Sequence, residues 1–201
     1  MKLFHSDASP YVRKVMIVLH ETGQLDDVEV LRVTTTTLQS DPDLVAAGPL
    51  ARLPTLVLDD GQAIYDSRVI NRYLNDRAGA DLYPTDGRQW STLVLEALAD
   101  GILDSALAMV YEGRLRSEDK QSPDVVEAHW AKVARGVQEI EANWLPHLAG
   151  PLDIGVIGVG AMLGYLDLRL DARGWRDRAP GLADWFRDHA TRPAMVATAP
   201  A

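Results

Sequence analysis

Ser6-Asp7-Ala8-Ser9-Pro10-Tyr11-Val12-Arg13-Lys14-Val15 decides how the chain is organised. Lys2 to His5, just before it, reads as a short strand. A helix follows at once: Val12, Val15, Met16 and Leu19 recur at three- and four-residue spacing between Pro10 and Glu21, and Gly23 closes the helix. Ser9 stands at the N-cap and Pro10 in the first turn, where a missing N–H costs nothing. The junction sets a hydroxyl at the positive end of a helix, which favours a carboxylate, a phosphate or a thiolate. Taken alone, Ser-Pro ahead of a helix is also ordinary capping.

Val28, Val30 and Val33 alternate with polar residues, apart from Leu31, and predict a second strand, and the helical crossover between the two strands predicts a parallel βαβ unit. Thr34 to Thr37 reads as loop, and Asp43 to Ala47 as a short helix. Leu53 to Leu58, the turn Asp59-Asp60-Gly61 and Gln62 to Tyr65 form a hairpin. Arg68 to Arg77 presents Val69, Ile70, Tyr73 and Leu74 on one helical face. Residues 1–77 therefore predict an α/β domain with the order β-α-β-α-β-β-α.

Residues 78–87, polar and broken by Gly79, Pro84 and Gly87, predict a linker, and residues 88–201 an all-helical domain. There Trp90, Leu93, Val94, Ala97, Leu98, Leu103, Leu107, Val110 and Tyr111 trace a long amphipathic helix ending near Arg116. Ser122-Pro123 opens a second helix, running to the break at Gly150-Pro151, and Asp153 caps a third reaching about Leu170. A last helix starts near Pro180, turns Leu182, Trp185 and Phe186 inward, and is stopped by Arg192-Pro193.

The 201 residues carry 29 acidic against 20 basic side chains, a formal charge of -9, with no basic run, so nucleic acid and anionic membrane are not expected partners. With no cysteine, thiol chemistry must use a thiol from outside. No leader-like apolar segment opens the chain, and a cytoplasmic protein is expected. Ile154 to Leu166 is too short to span a bilayer and reads as a buried helix. The five histidines lack ligand spacing, so no metal is expected. Gly155, Gly158, Gly160 and Gly164 follow no strand and fit close helix packing better than a nucleotide fingerprint.

Three further features bear on chemistry. Pro54 at the mouth of a strand is either a plain trans strand start or a cis bond that frees Leu53 to pair with an extended peptide ligand. Asp66-Ser67 lies at a second strand-to-helix junction; Ser67 reads either as a cap or as a binder of a ligand carboxylate, with Asp66 suited to an ammonium. Asp100 and Asp104, four apart, read as a solvated face or as a cation or subunit contact.

Taken together, Ser9-Pro10-Tyr11-Val12-Arg13-Lys14-Val15, Leu53-Pro54-Thr55-Leu56, Asp66-Ser67 ahead of Ile70, and Ile157 through Gly164-Tyr165-Leu166-Asp167 resemble the cytosolic glutathione transferases, in the bacterial branch with a serine before the helix proline. The resemblance implies a thioredoxin-like domain binding glutathione as co-substrate and a helical domain supplying most of an electrophile pocket. It implies that Ser9 faces the sulfur, that Leu53 beside cis-Pro54 pairs with the cysteinyl part, and that Asp66 and Ser67 hold the γ-glutamyl head. Tyr11, Met109 and Tyr111 are candidate pocket residues, and Asp100 and Asp104 candidate cross-subunit contacts in a homodimer. Two departures stand out: Asp66 replaces the family's usual Glu, and Val156 replaces the Asp that completes a capping box with Asp153. The expected function is attack of the glutathione thiolate on a small hydrophobic electrophile. The alternatives are a non-catalytic member that binds a partner protein, or a glutathione-dependent isomerase, peroxidase or etherase.

Overall fold

In the computed structural model, which describes residues 1–200, strand β1 (Lys2–His5) buries Leu3, Phe4 and His5. Helix α1 (Pro10–Glu21) buries Val12, Val15, Ile17, Val18 and Leu19, while Met16 is only half-buried. Strand β2 (Glu29–Arg32), helix α2 (Pro42–Ala47), strands β3 (Thr55–Val57) and β4 (Ala63–Ile64) and helix α3 (Ser67–Ala78) complete the thioredoxin-like unit. The sheet order is β2-β1-β3-β4, with β2 parallel to β1 and the other two pairings antiparallel. Strand β3 is shorter than the apolar run Leu53 to Leu58, since Pro54 has no N–H for a ladder and Leu58 N–H already bonds Gln62 O in the turn. Helix α1 packs on α3, whose buried face is Ile70 and Leu74, while Val69 is exposed.

The residues separate into two units, Met1–Tyr83 with the tail from Ala197, and Pro84–Val196. The second is helical: α4 (Gln89–Leu115), α5 (Pro123–Asn143), α6 (Leu145–Leu148), α7 (Ile154–Leu170), α8 (Trp175–Arg178), α9 (Pro180–His189) and α10 (Pro193–Ala197). Helix α7 is buried from Ile154 to Leu166 and packs on α4 and α9. At Gly155 a Cβ would stand 2.9 Å from Leu95 Cβ and 3.0 Å from Thr92 O, so glycine is what allows the α4–α7 contact.

Three expectations are corrected here. The buried face of α4 is Thr92, Leu95, Glu96, Ala99, Ile102, Leu103, Ala106 and Met109, whereas Trp90, Val94 and Tyr111 are exposed. The helix is apolar on more than one side, and which side is covered is decided by α7 and by a bond from Thr92, neither visible in the local pattern. Asp100 is buried, so it is no solvated carboxylate, while its neighbour four residues on, Asp104, is exposed. Pro193 does not merely end a helix but opens α10, as its fixed φ allows at a first turn. Among the described residues no helix is long and apolar enough to cross a membrane, and no His/Cys/Asp/Glu group could hold a metal ion.

Candidate active site

Strand registers bring the sequence-predicted residues to one edge of the sheet. Phe4 pairs with Thr55, so Leu53 lies level with the turn after β1; Leu56 pairs with Ile64, so Asp66 lies level with Pro54. Ser9, Leu53-Pro54 and Asp66-Ser67 thus share the edge where β1 and β4 end and β3 begins. Two helices, α1 and α3, start there with their positive ends.

Ser9 is the N-cap of α1 in extended backbone, held by Ser9 N–H donating to Ser6 O at 3.1 Å. Its Oγ accepts from Val12 N–H at 3.3 Å, a long bond, and the half-buried hydroxyl keeps its own proton to donate. Capping and a donor role coexist in one side chain. The Leu53–Pro54 peptide is cis, and neither register extends to Leu53, so no neighbouring strand pairs with it. The Tyr65–Asp66 peptide is also cis. The cap of α3 is Asp66, whose Oδ1 accepts from Arg68 N–H at 3.0 Å, and not Ser67. Ser67 is the first helical residue and is almost fully buried, while the Asp66 carboxylate is exposed.

Residues 8–77 match the model of the glutathione S-transferase N-terminal domain. Over 98% of the chain, and 92% of the relative, the sequence is 30% identical to glutathione S-transferase 3 of Zea mays. A glutathione transferase family member from Pseudomonas fluorescens Pf-5, solved with bound glutathione, superposes with a TM-score of 0.97 at 42% identity, covering 100% of this chain and 98% of that one. The chain belongs to the glutathione S-transferase family. The same Pseudomonas protein with bound S-(propanoic acid)-glutathione superposes at 0.92, with both chains covered completely.

At this edge Leu53 has backbone without a strand partner, and Asp66 carries an exposed carboxylate whose Oδ1 accepts from Arg68 N–H. The pocket candidates are more scattered. Tyr11 is half-buried in the first turn of α1. In the helical unit Met109 is buried and Tyr111 exposed. Tyr165 on α7, which the sequence did not single out for the pocket, is buried close enough to Tyr111, Arg169 and Arg114 to feel their charge, and burial pushes its phenol up to about 12.

A second constellation gathers around the cap at Asp153, and the sequence showed only that cap. Asp153 accepts from Val156 N–H at 3.0 Å, from Thr92 Oγ1 at 2.6 Å, and pairs with His147 Nε2 at 2.8 Å. Val156 returns no side-chain bond to Asp153 N–H; Thr92 from α4 and His147 from α6 instead hold the other oxygen of the Asp153 carboxylate. Thr92 is 61 residues away, so no spacing rule could have flagged it.

Proposed function

We propose that this glutathione S-transferase conjugates glutathione to a small electrophile and that Ser9 activates the thiol. A free thiol has a pKa near ~8.5 and is mostly protonated at neutral pH, whereas the thiolate is the nucleophile. The thiol proton goes to solvent; the Ser9 O–H and the α1 N-terminus stabilise the sulfur anion left behind. The anion forms a sulfur–carbon bond as a leaving group departs with its bonding pair, or adds to an activated double bond whose carbanion takes a proton from solvent. Leu53 pairs with the cysteinyl backbone, Asp66 takes the ammonium and Ser67 the carboxylate of the γ-glutamyl head. The single observation behind this reading is that Ser9 accepts only one long bond and retains a proton to donate. The bound glutathione of the Pseudomonas relative supports it.

The protein is proposed to work in the cytoplasm as a homodimer, with Asp100 and Asp104 as candidate contacts to the second copy's glutathione. Of the two, exposed Asp104 is the better placed for such a contact. Calorimetric titration with glutathione on wild type, Ser67→Ala and Ser9→Ala, with a conjugation assay on the same samples, tests the assignment. Weak binding by Ser67→Ala, and binding without turnover by Ser9→Ala, support it. No binding by wild type overturns it in favour of a protein that uses the fold to bind a partner. Binding without conjugation across a substrate panel points to isomerase, peroxidase or etherase chemistry.

A further inference from the structure

Helices α4 and α7 pack along each other from a shared start. Thr92 Oγ1 on α4 donates at 2.6 Å to Asp153, the N-cap of α7, and a Cβ at Gly155 would stand 2.9 Å from Leu95 Cβ, so the two helices begin side by side. Their last turns therefore lie toward the same end of the helical unit. There α4 carries Tyr111 and Arg114, three residues apart, and α7 carries Tyr165 and Arg169, four apart, so each pair shares one face of its helix. The Tyr165 phenol lies within electrostatic reach of Tyr111, Arg169 and Arg114, which makes the four side chains one cluster.

The polar ends of this cluster are unspent. Among the described residues neither Arg114 nor Arg169 has an ion pair or a hydrogen bond, and neither phenol has a hydrogen bond. The carboxylates nearest to them in sequence are committed elsewhere. Glu112 holds Arg116 at 3.1 Å and accepts from Ser122 N–H at 2.9 Å, while Asp167 accepts from Trp175 Nε1 at 2.8 Å and pairs with Arg176. The cluster thus holds two positive charges without a counter-charge, on a chain whose formal charge is -9. An arginine in a last turn also complements the helix dipole, and both arginines stand in last turns. That role asks nothing of Tyr165. Tyr165 is only 6% exposed, and a hydroxyl left without a partner on so buried a side chain gains when a ligand oxygen accepts from it. Burial pushes this phenol up to about 12, with Tyr111 adding to the rise and the two arginines opposing it, so it remains an O–H donor throughout the neutral range.

We infer that Arg114, Arg169 and Tyr165 form a binding site for the carboxylate of a small organic acid, the guanidiniums pairing with the carboxylate and the phenol donating to one of its oxygens. Guanidinium and carboxylate match in shape as well as charge, and such charge-assisted bonds are about twice as strong as neutral ones. Exposed Tyr111 offers a ring face to an aromatic acid. Two sources share this chemistry: an acid that glutathione attacks, and an acid that is bound unchanged. The site lies wholly within the helical unit, so binding is read without glutathione and stands or falls apart from the role given to Ser9.

The test uses the full chain. Benzoate, with benzamide as its neutral counterpart, is titrated by calorimetry at low salt, and the Tyr165 ring resonances are followed by NMR, the assignment made with Tyr165→Phe. The expected result is that benzoate binds and shifts the Tyr165 resonances, whereas benzamide does neither. Arg169→Gln is expected to weaken benzoate about tenfold, and Arg114→Gln and Tyr165→Phe by smaller factors. Arg114 is exposed at a helix end, so its variant reads the site even where another fails to fold. Benzamide binding as well as benzoate, benzoate binding unchanged in Arg114→Gln, or no binding of benzoate at millimolar concentration overturns the inference. A second arm separates the two sources: kcat/KM is measured for conjugation of a chlorodinitrobenzoate and of neutral chlorodinitrobenzene in wild type and Arg114→Gln. A fall confined to the benzoate identifies the bound acid as the molecule attacked, while an unchanged ratio identifies it as a ligand held unchanged; the site is supported in either case. A wild type that binds benzoate and not glutathione refutes the conjugating reading and leaves the carboxylate site standing.

Discussion

The N-termini of α1 and α7 carry one local device, a side-chain oxygen accepting the N–H three residues on: Ser9 from Val12 at 3.3 Å, Asp153 from Val156 at 3.0 Å. Around Asp153 every further opportunity is used. It is buried, it takes the Thr92 hydroxyl and the His147 ring, and it ties three helices of one unit together. Around Ser9 the opposite holds: the bond is long, the side chain is half-buried, and the hydroxyl proton is unspent. A helix start that is saturated and buried holds the fold, while one left unsaturated at a sheet edge is available for chemistry.

The largest effect expected from this contrast is on stability. Asp153→Ala removes a cap and strands the buried Thr92 hydroxyl, for a loss of about 3 kcal/mol in urea denaturation. A loss no greater than that of an ordinary exposed cap would break the distinction. Ser9→Ala should reverse the pattern: about 1 kcal/mol or less of stability, but about a hundredfold in turnover, the scale of losing one donor to a developing anion. Ser67→Ala should weaken glutathione binding about tenfold, or ~1.4 kcal/mol, by calorimetry, with little change in unfolding.

The smallest effect concerns Tyr165. Burial raises its phenol from an ordinary 10.0 to about 12, so the fold favours the neutral form. Its contribution is whole below pH 10 and is lost as the pH rises through 12, and Tyr165→Phe should flatten that part of the stability profile in alkaline denaturation.

Much of this was legible because it is local. Ser9-Pro10, the hairpin around Asp59-Asp60-Gly61 and the cap at Asp153 each follow from residues within a few positions, and the structure has all three. What escaped depends on elements distant in the chain. The covered side of α4 is chosen by α7, Asp100 is buried on a helix whose pattern suggested a solvated pair, and the Thr92–Asp153–His147 cluster joins segments with no shared spacing. At α3 the miss was finer: both Asp66 and Ser67 are good caps, and backbone geometry one residue either way decides between them.

The central claim is that the Ser9 hydroxyl stabilises the thiolate of bound glutathione. Its most direct test is the pH titration of thiolate ultraviolet absorbance for glutathione bound to wild type and to Ser9→Ala. The expected result is a bound thiol pKa below the free value near ~8.5 in wild type, returning toward it in Ser9→Ala with glutathione still bound. Equal pKa values in the two proteins would contradict it.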